Sequence, residues 1–290
     1  MEIKDYASTD EITWCPGCGN FPLLASLKQA LAGLQLAPSQ VVICSGIGQA
    51  AKLPHYIKVN CFNGLHGRAL PPAQAIAALR PDMKVIITSG DGDTYGEGGN
   101  HFIHALRRNA DIAHFVHDNQ IYGLTKGQGS PTTQFCQTTT LQPFGVASMP
   151  LNPLALAISQ GAGFVARGFV GNQPELVELM QAAIQYPGYA LLDILQPCIS
   201  FNKVNTFAWY KERVRPLPAE HNKNDRLQGM EAAWQFDDAG IYTGVLYQRQ
   251  GTIPWRQRLN QPCRQGGPAL NQALKAGPDL AKIILDDARL

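Results

Sequence analysis

Two short polar clusters, each directly after an apolar run, carry groups that could do chemistry. Gly90-Asp91-Gly92-Asp93 follows Lys84–Ser89 (KVIITS), and Asp118-Asn119-Gln120-Ile121-Tyr122-Gly123 follows Ile112–His117. Glycine lets a backbone approach a pyrophosphate closely, and a carboxylate supplies oxygen to the hard cation that neutralises it. Asp91, the Asn119 amide oxygen and a main-chain carbonyl at Ile121 would give Mg2+ three oxygen ligands, with phosphate oxygens filling further octahedral positions. Either cluster alone reads as a tight Asp-Gly turn or an Asn-rich loop. The pair, separated by one helix and one strand, is far more specific. A dinucleotide fingerprint fits poorly: Gly90, Gly92 and Gly96 miss the G-x-G-x-x-G spacing by one, and no clear acidic residue ends the next strand at the distance a ribose requires. The pattern fits thiamine diphosphate with Mg2+ best.

Cys15-Pro16-Gly17-Cys18 is a third candidate. Two thiolates at this spacing can bite one iron or zinc ion, and Gly17 lets the loop turn sharply. The competing readings are buried thiols, half a zinc site or a redox dithiol, but no second C-x-x-C exists and the surroundings do not resemble thioredoxin. Lys52 and Lys126 are candidate cations for a second substrate carboxylate; a solvated loop lysine is the alternative for Lys126. His101, His104, His114 and His117 fall on a predicted helix and strand and read as packing or surface residues.

These clusters need a scaffold. The patterning predicts strands over Val41–Ser45, Lys84–Ser89, Ile112–His117, Phe164–Arg167 and Tyr189–Leu195. Helices are predicted over Phe21–Leu34, Ala69–Leu79, Asn100–Asn109, Pro153–Gln160 and Gln173–Tyr186, the second opened by Pro71 and Pro72. Alternation of strand and helix predicts an α/β fold, a doubly wound and mostly parallel sheet covered on both faces, with ligands at the carboxyl ends of its strands. Residues 1–200 read as one cofactor-binding domain with an N-terminal cysteine loop. Residues 201–290 lose periodicity and read as a C-terminal arm with a few helices, packing on a partner. The 290 residues are 45% hydrophobic, enough for a sizeable core, and a net charge of +2 argues against nucleic acid and anionic membranes. No apolar run is long enough to cross a bilayer, and Met1–Asp10 does not read as a secretory leader. A cytoplasmic protein with seven reduced cysteines is expected.

The stretch GDGDTYGEGGNHFIHALRRNADIAHFVHDNQIYGLTKGQGSPTT closely resembles the thiamine-diphosphate motif of 2-oxoacid:ferredoxin oxidoreductase β subunits. WCPGCGN at Trp14–Asn20, SGIG at Ser45–Gly48, LHGRA at Leu65–Ala69 and LDILQPC at Leu192–Cys198 fit the same family, over about residues 12–210. The resemblance implies that Asp91, Asn119 and the Ile121 carbonyl hold Mg2+. It implies that Gly90, Gly92 and Asp93 hold the diphosphate, that Ile47, Gly48 and His66 lie near the thiazolium, and that Gly123, Leu124 and Thr125 belong to the same cofactor site. His66, Lys52 and Lys126 become catalytic candidates. Cys198 joins Cys15 and Cys18 as a ligand of a 4Fe–4S cluster.

The implied activity is oxidative decarboxylation of a 2-oxoacid, with electrons passing through the cluster to ferredoxin and the acyl group to coenzyme A. Lysine in the 122–128 loop favours 2-oxoglutarate over pyruvate. An α subunit is implied as partner, since no residue here is assigned as the carboxylate that assists the aminopyrimidine. One position departs from the family: its remaining cluster ligand directly follows SGIG, and here that residue is Gln49. Cys44 or Cys61 could substitute, or the cluster is altered, labile or missing. A non-redox thiamine-dependent decarboxylase or ligase subunit is therefore the alternative. Cys136 and Cys263 match no motif.

Overall fold

The computed structural model describes residues 1–258. Eleven strands occur in chain order: β1 (Val41–Ser45), β2 (Asn60–Asn63), β3 (Lys84–Gly90), β4 (Ile112–Asp118), β5 (Ile121–Tyr122), β6 (Gln128–Gly129), β7 (Phe164–Phe169), β8 (Tyr189–Leu195), β9 (Val214–Pro216), β10 (Phe236–Asp237) and β11 (Gly240–Gln248). The α-helices are α1 (Asn20–Gly33), α2 (Leu70–Leu79), α3 (Gly99–Arg108), α4 (Pro153–Ser159), α5 (Gln173–Gln185), α6 (Phe207–Arg213), α7 (Arg226–Trp234) and α8 (Trp255–Arg258).

The main sheet runs β2-β1-β3-β4-β8-β7-β11-β10, with β9 alongside β11. Strands β2 to β7 in that order are all parallel, and β11 is antiparallel to β7. The expected mostly parallel α/β sheet is thus present. Successive side chains point to opposite faces of a strand, which sorts the core into two layers. Ile43, Leu192 and Ile194 pack with Leu23 and Leu27 of α1 and Leu176 and Met180 of α5. Val42, Cys44 and Leu191 pack with α2, α3, α4 and α7 through Leu70, Phe102, Leu154 and Ala233. Helix starts are chemically specified: the Asn152 side chain accepts from Ala155 N at 3.0 Å, and Pro153 takes the first turn, where a missing N–H costs nothing.

Several features lay outside the sequence pattern. Gly92–Glu97 forms a π-helical turn between β3 and α3. The short hairpin β5–β6 lies apart from the main sheet. Strand β11, inside the segment read as an arm, extends the sheet beyond β7, so residues up to Gln248 share its hydrogen bonding. Cys263 and the rest of the arm after Arg258 lie outside the described residues.

Candidate active site

Two loop systems at the carboxyl ends of β1, β3 and β4 form one cleft. Its walls include Ile47 and Gly48 after β1, His66 from the loop after β2, and Gly90, Asp91, Gly92 and Asp93 at the end of β3. Asn119, Ile121, Gly123, Leu124 and Thr125 complete it after β4. Every residue assigned to the cofactor is therefore brought to one place. A Cβ added at Gly90 or Gly48 would meet no atom within 4 Å, so both glycines border open space.

Asp93 organises this cleft. Its Oδ1 accepts from Ile47 N at 3.1 Å and Gly67 N at 2.7 Å, tying the turn after β1 to the loop carrying His66. Its Oδ2 is buried without a partner. Burial pushes the Asp93 carboxyl up, against the pull of those two N–H groups. With Oδ1 held by backbone, Asp93 acts as a brace as well as a wall. His66 Nδ1 lies 3.1 Å from Glu97 Oε2 and 3.6 Å from Asp93 Oδ1. The Tyr122 hydroxyl also donates to Glu97, at 3.1 Å.

The Thr132 hydroxyl lies 2.7 Å from Asp91 Oδ2 and 2.9 Å from Asp118 Oδ1. One hydroxyl proton cannot satisfy two ionised carboxylates, and burial raises both groups, Asp118 well above the ordinary carboxylate range. Asp193 on β8 continues the row and accepts from Tyr95 at 2.6 Å. Burial pushes Asp193 up to about 6, opposed by that bond and by Arg167. Arg167, the cross-strand partner of Asp193, is buried and donates to the carbonyls of Ala233, Gln235 and Tyr242. Sequence reasoning missed Thr132, Tyr95, Arg167 and Asp193. The signal was a charge inside an apolar strand, in FVARGF and YALLDIL. His114 and His117 are fully buried on β4, as packing residues.

A second cavity lies against the first. Cys15, Cys18 and Cys198 line it, with Gln49, Gln196 and Ser200. Gln49, Asn119 and Gly123 line both spaces. Burial pushes the Cys18 thiol up, and the nearness of Cys198 and Cys15 adds to this. Ser200 Oγ donates to Cys15 Sγ at 3.2 Å, and Gln196 Nε2 to Cys18 Sγ at 3.6 Å. Among the described residues no three His, Cys, Asp or Glu side chains converge on a single-ion site; the three thiols line one cavity without doing so.

Four expected residues are not brought in. Cys44 is fully buried on β1 in the layer beneath α2 and α3, its thiol pushed up to about 12 by burial and then by Cys61. Cys61 is exposed on the edge strand β2. Neither lines the cysteine cavity, because one strand position sends Cys44 into the core and the other lies at the sheet margin. Lys52 Nζ donates to Thr13 Oγ1 at 3.3 Å and does not line the cleft. Lys126 is exposed in the β5–β6 turn, one residue beyond Thr125, with a left-handed backbone at φ 82°.

Residues 40–194 match the family model for the C-terminal, thiamine-pyrophosphate-binding domain of thiamine pyrophosphate enzymes, and residues 198–262 match that for the C-terminal part of the pyruvate ferredoxin oxidoreductase beta subunit. The chain is 45% identical over 261 residues to a 2-oxoacid:ferredoxin oxidoreductase subunit beta from Saccharolobus solfataricus, covering 85% of each. It is 42% identical over 209 residues to the 2-oxoglutarate oxidoreductase subunit KorB of Mycobacterium tuberculosis, covering 72% of this chain and 56% of that one. A solved structure of 2-oxoglutarate:ferredoxin oxidoreductase from Magnetococcus marinus, with 2-oxoglutarate, coenzyme A and succinyl-CoA bound, superimposes with a TM-score of 0.88 at 34% identity, over 96% of this chain and 97% of that one. No helix among the described residues is long and apolar enough to cross a membrane. With a parallel sheet whose strand ends carry these motifs, and relatives matched over most of their length, the chain belongs to the β subunits of the 2-oxoacid:ferredoxin oxidoreductases.

Proposed function

We propose that this β subunit, joined to an α subunit, oxidatively decarboxylates 2-oxoglutarate, forming its acyl-coenzyme A and CO2 and passing electrons through an iron–sulfur cluster to ferredoxin. The observation that carries this reading is the wall shared by the two cavities at Gln49, Asn119 and Gly123. A cofactor in one and a cluster in the other would be neighbours, as electron transfer between them requires. The residues present fit thiamine diphosphate: the glycine-lined space at Gly90 and Gly48, and the buried Asp91 at the end of β3, are what a diphosphate and its cation need. Asp91, Asn119 and the Ile121 carbonyl would hold Mg2+, and Gly90 and Gly92 the diphosphate. The cofactor supplies the carbanion chemistry; this chain supplies position, with His66 on the cleft wall 3.1 Å from Glu97.

Preference for 2-oxoglutarate is supported by the relatives named for that acid. The test is coenzyme-A-dependent reduction of ferredoxin by the α–β complex with 2-oxoglutarate and with pyruvate. We expect kcat/KM for 2-oxoglutarate to be higher by about tenfold or more, equivalent to roughly 1.4 kcal/mol of transition-state binding. Equal values, or a preference for pyruvate, would overturn the substrate assignment.

A further inference from the structure

The cysteine cavity offers three thiols and, at its remaining side, a carboxamide. Trp14 Nε1 donates to the Gln49 carbonyl at 2.9 Å, which ties Gln49 to the loop that carries Cys15 and Cys18. The Trp14 ring is itself fixed edge-on against Phe21 and Tyr56, at 5.5 and 4.8 Å between centroids. A Cβ built on Gly123 would lie 3.9 Å from Cys198 Sγ and 4.0 Å from Gln49 Cγ, so thiol and amide flank the same glycine. The Gln49 side-chain oxygen is buried and has no hydrogen-bond partner. A buried amide oxygen left unpaired is costly, and its position beside three thiols gives it a natural partner in whatever fills the cavity. Neither Cys44 nor Cys61 lines this cavity.

We infer that this is an open-corner cluster site: Cys15, Cys18 and Cys198 each hold one iron of a cubane cluster, while the fourth iron faces the neutral amide of Gln49 and is exchangeable. This rests on the proposal that the cavity houses an iron–sulfur cluster. Thiolates are soft, anionic ligands that match iron–sulfur chemistry, and a carboxamide oxygen is neutral and hard. Three irons keep a thiolate each, and the fourth is retained mainly by the cluster's own sulfides. Loss of that iron balances as a one-electron oxidation. A 4Fe–4S cluster of charge 2+ gives a 3Fe–4S cluster of charge 1+, one Fe2+ and one electron, and the electron goes to an added one-electron oxidant such as ferricyanide. Addition of Fe2+ and one electron from a reductant reverses it.

The test uses the α–β holoenzyme purified without oxygen, as wild type, Gln49→Cys and Gln49→Ala. Iron and acid-labile sulfide are measured per β chain before and after a stoichiometric dose of ferricyanide, with EPR spectra at each stage. Any cluster of the α subunit is subtracted with a Cys15→Ser, Cys198→Ser control. The expected wild-type result is release of about one iron per β-chain cluster at unchanged sulfide, an EPR signal of an oxidised three-iron cluster, and recovery on adding Fe2+ with dithionite. Isolation with about three irons to four sulfides would support the same site. Gln49→Ala should lose iron at least as readily, and Gln49→Cys should retain about four irons with no three-iron signal. Retention of all four irons by the wild type, or identical behaviour of Gln49→Cys, would overturn the open corner. No β-chain iron or sulfide, with thiamine diphosphate still bound, would instead remove the cluster reading beneath it.

Discussion

Replacing Asp93 separates a brace from a mere wall residue. Its Oδ1 holds two backbone donors, Gly67 N at 2.7 Å in a buried setting and Ile47 N at 3.1 Å in a partly buried one. Asp93→Ala leaves both without an acceptor. A buried orphaned N–H costs about 1–3 kcal/mol, and the partly buried one, with access to water, roughly half of that. The summed loss is about 1.5–4.5 kcal/mol, and water entering the vacated space lowers it towards the bottom of that range. The loss also frees the turn at Ile47 from the loop at His66, so both walls of the cleft lose their mutual position. Asp93→Asn keeps an acceptor oxygen and loses only its charge, for about 1 kcal/mol or less. Urea unfolding of the α–β complex measures the first quantity, and calorimetric titration with thiamine diphosphate and Mg2+ measures the second. We expect Asp93→Ala to weaken cofactor binding by about tenfold or more and Asp93→Asn by only a few fold. Wild-type affinity in Asp93→Ala, or equal damage from both variants, would refute the bracing argument.

The other predictions concern the same region. Gly67 has φ +72°, and an added Cβ would come within 2.6 Å of the Gly98 nitrogen, so Gly67→Ala should cost more than about 2 kcal/mol by calorimetric melting. Thr132→Val removes the hydroxyl between Asp91 and Asp118 at nearly constant volume; the Mg2+ concentration for half-maximal activity should rise several fold, measured by titration after chelation. His114 is pushed down to about 3 by burial, from an unfolded value of 6.5. Its neutral form therefore contributes stability that is complete above the unfolded value and lost as pH falls from there towards 3. Between about pH 7 and about pH 5.5 this amounts to roughly 1.3 kcal/mol, so the pH slope of urea stability should flatten by that amount in His114→Gln.

Much of the scaffold could be read from the chain because parallel buried strands are short apolar runs. Val41–Ser45 and Tyr189–Leu195 have the predicted bounds. Strand β2 could not be read: its sequence is Asn-Cys-Phe-Asn, fully exposed, and it exists because β1 offers a partner. Strand β11, Gly-Ile-Tyr-Thr-Gly-Val-Leu-Tyr-Gln, lacks a clean apolar alternation and sits among Gln, Arg and Gly residues, which masked it. The cleft was legible because glycines and oxygen-bearing side chains at strand ends are a local signal. The braces were not, since Asp93 to Gly67 and Thr132 to Asp91 are contacts made only by tertiary folding. Sequence proximity to a motif says nothing about which way a long side chain turns: Lys52 turns to Thr13 and does not line the cleft.

The order in which the chain is made gives the β7–β11 pairing a kinetic meaning. Arg167 pairs with Gly244, and Phe164 with Gln248. At about 5–20 residues per second, roughly 4–15 s of translation separate the emergence of the two strands. During that interval the β7 edge, with Val165 and Ala166 along it, stands as an open template that a neighbouring nascent chain can pair with. A stop codon after Asn202 would make the interval permanent, and the product would aggregate through an uncapped sheet before any partner subunit could be offered. In that sense the β7 edge is closed only when β11 emerges.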